Sequence, residues 1–437
     1  MKILSITAGA AGMYCGSCFR DNALAAELVA QGHDVTLIPV YTPTRTDEEN
    51  VSQPRVLFGG ISVYLQQYSS LFRHLPRALD RLWDSPRVIN AFAGRGVSPD
   101  ARLLGDLTIS MLEGERGVLR KEFDKLIEWT RDEPRPDVIN LPNSLLISMA
   151  APLRAAFGRP VCCTLQGEEL FIDGLAAPYR ERALAMIRAQ VAAVDRFIAV
   201  SDYCAQFMRG YLHIPDDRID VVPLGIKMDG YSRRERPVSS RASSSDPFRV
   251  GYFARIAPEK GLHVLAEAYV RFRARIGGAP GVLEVAGYMA PNYARYLDEA
   301  RATLERAGLG GEFRYRGAID RAGKLEFLRQ LDVLSVPATY DEPKGMFLLE
   351  AMAAGTPVVE PRRGAFIEVI EKTRGGLLVA PDDPGALADG LHALWSDPSH
   401  TARLAAAAFD GVRAHYTVAQ SASRLVDVYG SLRSKAA

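Results

Sequence analysis

The segment 341–359 reads DEPKGMFLLEAMAAGTPVV and combines a turn, a short helix and the start of a strand. Pro343 and Gly345 predict the turn, residues 346–354 have a helical composition, and the Gly-Thr-Pro sequence at 355–357 predicts the end of the helix. The N-terminus of a helix carries unpaired backbone N–H groups and the positive end of the helix dipole, and both favour a bound anion. The segment therefore predicts a phosphate site at the tip of this helix.

Two glutamates flank the predicted phosphate site. Glu342 lies just before the helix and Glu350 lies within it, about 12 Å further along if the whole segment is helical. A nucleotide sugar is a diphosphate between two polyols, and ionised carboxylates accept the hydrogen bonds that hydroxyls donate. The arrangement fits such a ligand, although an amphipathic helix with solvent-facing glutamates would give the same spacing.

Apolar runs of strand length alternate with helical patterns along the chain, which favours α/β units with parallel sheets. Such sheets bind ligands at the carboxyl ends of their strands. Helices are predicted at 22–31 and 260–275. The predicted strands form two series, 2–6, 34–39, 138–141, 161–165, 197–200 and 219–222, then 249–253, 283–286, 313–315, 333–336, 357–359 and 377–379.

A segment rich in Ser, Arg and Pro separates the two series and predicts a linker. We therefore divide the chain into an N-terminal Rossmann-like domain, the linker, a C-terminal Rossmann-like domain, and a last helix that packs back toward the N-terminal domain. The corresponding ranges are 1–232, 233–246, 247–415 and 416–437.

Length and charge agree with two domains and exclude some classes of protein. The 437 residues exceed what one hydrophobic core usually holds. Lys plus Arg number 53 and Asp plus Glu 52, so the chain lacks the basic excess expected of a nucleic-acid binder. No apolar run is long enough for a membrane helix, and five cysteines suit reduced thiols, which predicts a cytoplasmic protein.

Two cations follow the first strand of the second series, in the segment 251–261, which reads GYFARIAPEKG. Arg255 leaves the strand and Lys260 opens the next helix, so both can reach one diphosphate. Departure of a nucleoside diphosphate develops negative charge, and fixed cations aimed at that charge lower the barrier. Two solvated surface cations are the alternative interpretation of this segment.

The segments 251–261 and 341–359 together resemble the signature of family 4 glycosyltransferases and their retaining relatives. The resemblance implies the GT-B fold, an α/β architecture of two Rossmann-like domains facing each other across a cleft. It assigns the donor sugar to Glu342, the ribose to Glu350, and the donor phosphates to Gly16 in a glycine-rich loop. The implied donor-binding residues are Gly16, Arg255, Lys260, Glu342, Gly345, Met346, Phe347 and Glu350, with Arg255, Lys260 and Glu342 as the catalytic ones.

The implied reaction is a retaining, metal-independent transfer from a nucleotide-diphosphate sugar, with the donor phosphate as base. No cofactor is expected beyond this co-substrate, and the absence of an Asp-x-Asp triplet argues against a metal. The acceptor could be a saccharide, a lipid-linked group or a small molecule. A nucleotide-sugar epimerase of the same fold and a non-catalytic nucleotide-sugar-binding protein remain alternatives.

Gln166 is a departure from the family pattern, because many members carry a His there that faces the donor sugar. Gln can bond a sugar hydroxyl but cannot act as an acid or base near neutral pH. Glu168 is either a contact for acceptor hydroxyls or an ordinary polar residue at a strand end.

Two further stretches have a less specific interpretation. A basic, aromatic stretch from Phe72 to Arg87 could touch an anionic membrane, but a solvated helix face is favoured. Cys15, Cys18, Cys162 and Cys163 could converge on a metal. Since neighbouring strand residues point to opposite faces, small core residues are the favoured interpretation.

Overall fold

The computed structural model of the chain describes residues 1–9, 16–44, 46–69, 72, 101–233 and 246–436. These residues divide into two compact units, Met1–Leu224 with Val418–Ala437, and Gly225–Thr417. Most of the predicted linker lies outside the described residues, as do Cys15 and the basic stretch after Phe72.

Each unit contains a parallel sheet, and the described strands of both correspond to the predicted series. The bounds in the first unit are β1 Lys2–Ala8, β2 Asp34–Val40, β3 Val138–Leu141, β4 Val161–Leu165, β5 Arg196–Ala199 and β6 Ile219–Val221. The bounds in the second unit are β7 Phe248–Phe253, β8 Gly281–Ala286, β9 Phe313–Tyr315, β10 Val333–Leu334, β11 Val358–Pro361 and β12 Gly376–Val379.

Helices connect these strands, as parallel pairing requires. Among the described residues they are α1 Gly16–Ala30, α2 Gly60–Tyr68, α3 Ala101–Glu113, α4 Arg120–Thr130, α5 Ala150–Phe157, α6 Glu169–Asp173, α7 Tyr179–Gln190, α8 Asp202–Leu212, α9 Leu262–Ile276, α10 Ala294–Arg306, α11 Arg321–Gln330, α12 Met346–Ala353, α13 Phe366–Thr373, α14 Pro384–Ser396, α15 Pro398–His415 and α16 Val418–Ala436. None of the described helices has both the length and the apolarity needed to cross a bilayer.

The first sheet has the order β2-β1-β3-β4-β5-β6 and is buried on both faces. Cys162 and Cys163 of β4 belong to the two separate core clusters, one on each face. Burial raises the pKa of both thiols, which is the opposite of what a metal-binding thiolate needs. Within the described residues no group of His, Cys, Asp and Glu could hold a metal ion.

The C-terminal helix α16 belongs to the first unit. Its apolar side packs against α1, with Leu425 and Tyr429 in one cluster with Leu24 and Leu28. The Ser421 hydroxyl donates to the carbonyl of Pro223 at 2.6 Å, which ties the start of the helix to the chain after β6.

The second sheet has the order β12-β11-β10-β7-β8-β9, the doubly wound order of dinucleotide-binding folds. The strand order reverses between β7 and β10, and such a sheet binds ligands at the carboxyl ends of its strands at this point. The chain leaves β7 toward Arg255 and Lys260, and it leaves β10 toward Glu342. The fold therefore directs the two sequence motifs to the same edge of the sheet.

Gly261 allows the chains that follow β7 and β10 to touch. Its φ of +74° lies in the left-handed region, and a Cβ there would lie 1.9 Å from the carbonyl oxygen of Pro337. The Thr339 N–H donates to the carbonyl of Glu259 at 3.0 Å, which fixes the same approach. Only glycine meets both the conformational and the steric requirement at this position.

We expect Gly261→Ala to destabilise the protein by about 3–5 kcal/mol, because it adds overpacking to backbone strain. Gly308→Ala is the matched control, since Gly308 has the same φ of +74° and a Cβ added there would meet nothing within 4 Å. It should cost only the strain, about 1–2 kcal/mol. Urea unfolding of both variants measures the difference, and equal losses would contradict the proposed contact.

Candidate functional site

The helix α12 begins after a tight turn at Gly345, whose φ of +69° is the left-handed conformation that favours glycine. Leu348 N–H donates to the Gly345 carbonyl at 3.0 Å, which closes the first turn. Apart from Met346, the residues of α12 are buried, including Phe347 and Glu350. The helix is thus a core element with its N-terminal tip at the carboxyl edge of the sheet.

Glu342 is 3% exposed and accepts hydrogen bonds at both carboxylate oxygens. Lys260 Nζ and the Tyr340 hydroxyl donate to Oε2. The backbone N–H groups of Lys344 and Gly345 donate to Oε1 at 3.3 and 3.4 Å. These four donors fill the roughly four acceptor positions of a carboxylate.

The charge of Glu342 is stabilised inside the protein. Burial acts to raise the pKa of Glu342, but the positive charge and hydrogen bond of Lys260, together with the Tyr340 hydroxyl, outweigh it. They lower this pKa from 4.5 to about 2. The carboxylate is therefore ionised at any ordinary pH.

Lys260 lies between this carboxylate and two aromatic rings. Its ammonium donates to the Tyr340 hydroxyl at 2.6 Å and lies 4.9 Å from the centre of that ring and 5.6 Å from the centre of Phe347. Arg255 is more exposed, and its guanidinium pairs with Glu259 at 3.2 Å. The two predicted cations thus follow the same strand, one embedded and one at the surface.

Glu350 has a partner that no sequence motif indicated. Lys324 of α11 donates to Glu350 Oε1 at 2.8 Å, and the two residues are 5% and 8% exposed. Tyr340 is the other member of the site that was not predicted. Lys324 is 26 residues before Glu350, and Tyr340, although only two residues before Glu342, belongs to no motif that indicated this contact.

The first unit holds the remaining predicted residues. Gly16 is the first residue of α1 and is exposed, at a helix N-terminus. Gln166 follows β4 and is 4% exposed. Its Nε2 donates to the Pro142 carbonyl at 2.8 Å, whereas its Oε1 is buried without a hydrogen-bond donor from the described residues.

Glu168 joins two loops of the first unit through its carboxylate. The backbone N–H of Ser144 donates to Oε1 at 2.9 Å, and that of Gln166 donates to Oε2 at 2.8 Å. The side chain is buried and both oxygens are engaged by backbone. The carboxylate thus links two loops, and its contact with acceptor hydroxyls stays a prediction.

Direct hydrogen bonds therefore unite Lys260, Tyr340, Glu342 and Gly345 in the second unit, with Glu350 in the helix that follows. Arg255 pairs with Glu259 and makes no described bond to this group. The arrangement offers cations and a helix N-terminus for a diphosphate, and carboxylates for hydroxyls.

Comparison with known families matches both halves of the chain. Residues 234–410 match the family "Glycosyl transferases group 1", and residues 22–225 match "Glycosyl transferase 4-like domain". A phosphatidyl-myo-inositol mannosyltransferase of Mycobacterium leprae is 30% identical over 67% of this chain and 73% of the relative. A D-inositol 3-phosphate glycosyltransferase of Stackebrandtia nassauensis is also 30% identical, over 55% of each chain.

Solved structures agree on the fold. Anabaena HepE in complex with UDP superposes with a TM-score of 0.69 at 18% identity, covering 99% of this chain and 100% of that one. Sucrose-phosphate synthase of Thermosynechococcus elongatus gives 0.71 at 18% identity, covering 100% of both. These likenesses show the GT-B fold. The two family matches and the mannosyltransferase relative establish that the chain belongs to the family 4 glycosyltransferases and is an enzyme of that class.

Proposed function

We propose that the enzyme transfers a sugar from a nucleoside-diphosphate donor to a hydroxyl of a polyol acceptor, free or lipid-linked, with retention of configuration and without a metal. The observation that carries the proposal is the bonded group of Lys260, Tyr340 and Glu342 at the carboxyl ends of β7 and β10, beside the tip of α12. Relatives support the ligand classes, since one solved neighbour contains UDP-glucose and two relatives are named for inositol-containing acceptors.

The cations act on the leaving group. The acceptor oxygen forms a bond to the anomeric carbon on the face from which the phosphate departs, and the acceptor proton passes to that phosphate. Lys260 and Arg255 stabilise the negative charge that develops on the diphosphate, as does the N-terminus of α12. In the free enzyme, Lys260 is held by its carboxylate and aromatic contacts.

Glu342 contributes by an exchange of partners. Both of its oxygens already accept hydrogen bonds in this structure, so a sugar hydroxyl can bind only when one of the present hydrogen-bond donors leaves. Lys260 turns from Glu342 toward the diphosphate, and a donor-sugar hydroxyl takes its place at Oε2. In the free enzyme the charges of Lys260 and Glu342 thus stay paired with each other, until the nucleotide sugar supplies a new partner for each.

Gln166 is the proposed hydroxyl contact of the first unit, through its buried Oε1. A cytoplasmic location is kept as part of the proposal, since five cysteines in a chain of 437 residues suit reduced thiols.

A thermal-shift screen with UDP-glucose, GDP-mannose and ADP-glucose tests the donor class, because a ligand that binds the folded state raises the melting temperature. We expect one of them to do so and to be turned over with an inositol or sugar acceptor in the presence of EDTA. Proton NMR of the product should show the anomeric configuration of the donor. Four outcomes would each contradict part of the proposal. They are inversion of the anomeric configuration, EDTA inhibition that a divalent cation reverses, an epimerised donor sugar, and donor binding without turnover.

We expect Lys260→Ala to lower kcat/KM by about 10²–10³-fold, as is typical when one group that stabilises transition-state charge is removed. Glu350→Gln should raise the KM for the donor, because it weakens the contact to ribose. Both variants should remain folded by circular dichroism. Lys372→Ala, which removes an exposed lysine of the same unit, is the control and should keep full activity. Unchanged turnover in Lys260→Ala would argue against the site.

The lowered pKa of Glu342 predicts a pH dependence of stability. A carboxyl whose pKa is about 2 in the folded state and 4.5 otherwise stabilises the fold above the higher value, and this contribution disappears as the pH falls toward 2. The difference is on the order of 3 kcal/mol. Glu342→Gln should therefore lose less stability than the wild type between about pH 5 and pH 2.

Melting temperatures across that pH range measure the effect. Glu371→Gln, at an exposed glutamate paired with Arg362, is the control and should follow the wild-type curve, since surface ion pairs contribute little. Parallel curves for the wild type and Glu342→Gln would show that the folded protein does not depend on the charge of Glu342.

A further inference from the structure

Lys324 is a buried lysine that no motif accounts for. It lies in the first turn of α11, and its ammonium donates to Glu350 Oε1 at 2.8 Å. It is 5% exposed, and its hydrogen bond to Glu350 connects it to the candidate site.

The backbone around Lys324 fixes the position of this ammonium. Asp320 caps α11, with its carboxylate accepting from Gly323 N–H at 2.8 Å. At the far end of the helix, the Thr356 hydroxyl donates to the Leu328 carbonyl at 2.7 Å, which ties α11 to the chain just after α12. The lysine and the glutamate are thus carried by two helices that are bonded to each other.

Stability alone does not explain a charged pair here. Glu350 is the only ionisable residue of α12, whose other residues are apolar. A buried ion pair seldom stabilises a fold more than apolar side chains of the same volume, because both ions lose their hydration. Two apolar side chains would serve packing at least as well, so the charge itself requires an explanation.

The two carboxylate oxygens of Glu350 differ in their hydrogen bonds. Oε1 accepts from Lys324, whereas no donor from the described residues reaches Oε2. An ionised carboxylate held at one oxygen keeps acceptor positions at the other for ligand hydroxyls. The two hydroxyls of a ribose are donors of that kind.

We propose that Lys324 is a positioning residue for the nucleoside part of the donor: its hydrogen bond holds the Glu350 carboxylate in place, with Oε2 presented to the ribose hydroxyls. This inference rests on the proposed function, in which Glu350 binds ribose. Lys324 touches no substrate, and its effect is confined to steps in which Glu350 takes part.

The test measures binding of UDP and of 2′,3′-dideoxy-UDP by titration calorimetry, with the GDP and ADP pairs used if UDP does not bind. Hydrogen bonds to a charged group are worth about 10- to 100-fold in affinity, so the wild type should prefer the ribose form by that factor. In Lys324→Met the preference should fall to within about threefold of unity, because a buried carboxylate that loses its hydrogen-bonding partner is no longer held in this position.

Arg273→Met is the matched control. Arg273 makes a partly buried pair with Glu312 at 2.8 Å, but Glu312 precedes β9 at the opposite edge of the sheet. This variant should lower the melting temperature and keep the wild-type preference for ribose. Loss of the preference in Arg273→Met as well would mean that any broken ion pair disturbs the site, and would overturn the proposal.

A second comparison uses Glu350→Gln and the double variant that combines Lys324→Met with Glu350→Gln. The double variant leaves no unpaired charge, so the test can still be made if Lys324→Met alone folds poorly. Both should bind UDP equally within about twofold, since without its carboxylate partner Lys324 has nothing to position. A further loss in the double variant would overturn the inference, as would a full ribose preference in Lys324→Met. A full preference in Glu350→Gln would instead refute the ribose role of Glu350, and with it the proposed site.

Discussion

Two buried carboxylates, each held by one lysine, organise the second unit at the carboxyl ends of its strands. Glu342 pairs with Lys260 and Glu350 pairs with Lys324, and all four side chains are at most about one-tenth exposed. A charge removed from water costs several kcal/mol unless a partner and hydrogen bonds compensate for it. The chain after β7, the helix α11 and the segment 341–353 must therefore keep their relative positions, because a shift of any one would leave a charge unpaired.

The strand order of the sheet makes these pairs possible. Lys260 and Glu342 are 82 residues apart in sequence and meet only because β7 and β10 are neighbours. Gly261 then lets the two chains approach to backbone contact. The same geometry aims Lys260, Arg255 and the N-terminus of α12 at one edge of the sheet. Charge pairing and the proposed ligand binding thus both follow from one topological feature, the reversal of strand order.

The strands could be predicted because buried parallel strands are short apolar runs, and the sequence contains these runs clearly. One strand, β10, is shorter than the apolar run that predicts it. The run at 333–336 predicts four strand residues, but β10 ends at Leu334, since the Val336 N–H donates to Glu360 Oε1 at 2.9 Å instead of to a neighbouring strand.

In the site, motif spacing indicated Lys260, Glu342 and Glu350 but not Tyr340 or Lys324. Lys324 acts through a tertiary contact between α11 and α12, so its role follows only from which helix lies beside which. Tyr340 is two residues before Glu342, but no motif indicated that its hydroxyl bonds this carboxylate.

Gln166 and Glu168 illustrate how two adjacent polar residues can differ in role. The sequence left both as candidate ligand contacts after β4. The Glu168 carboxylate accepts hydrogen bonds from two backbone N–H groups, and a ligand that displaced either N–H would remove a contact that holds a loop. Gln166 uses its N–H₂ group on Pro142 and leaves a buried carbonyl oxygen without a protein donor, which costs about 1–3 kcal/mol if nothing donates to it. A ligand hydroxyl would remove that cost. A His side chain can donate or accept a hydrogen bond, whereas the Gln166 carbonyl can only accept, so in the proposed role Gln166 takes no part in acid–base chemistry.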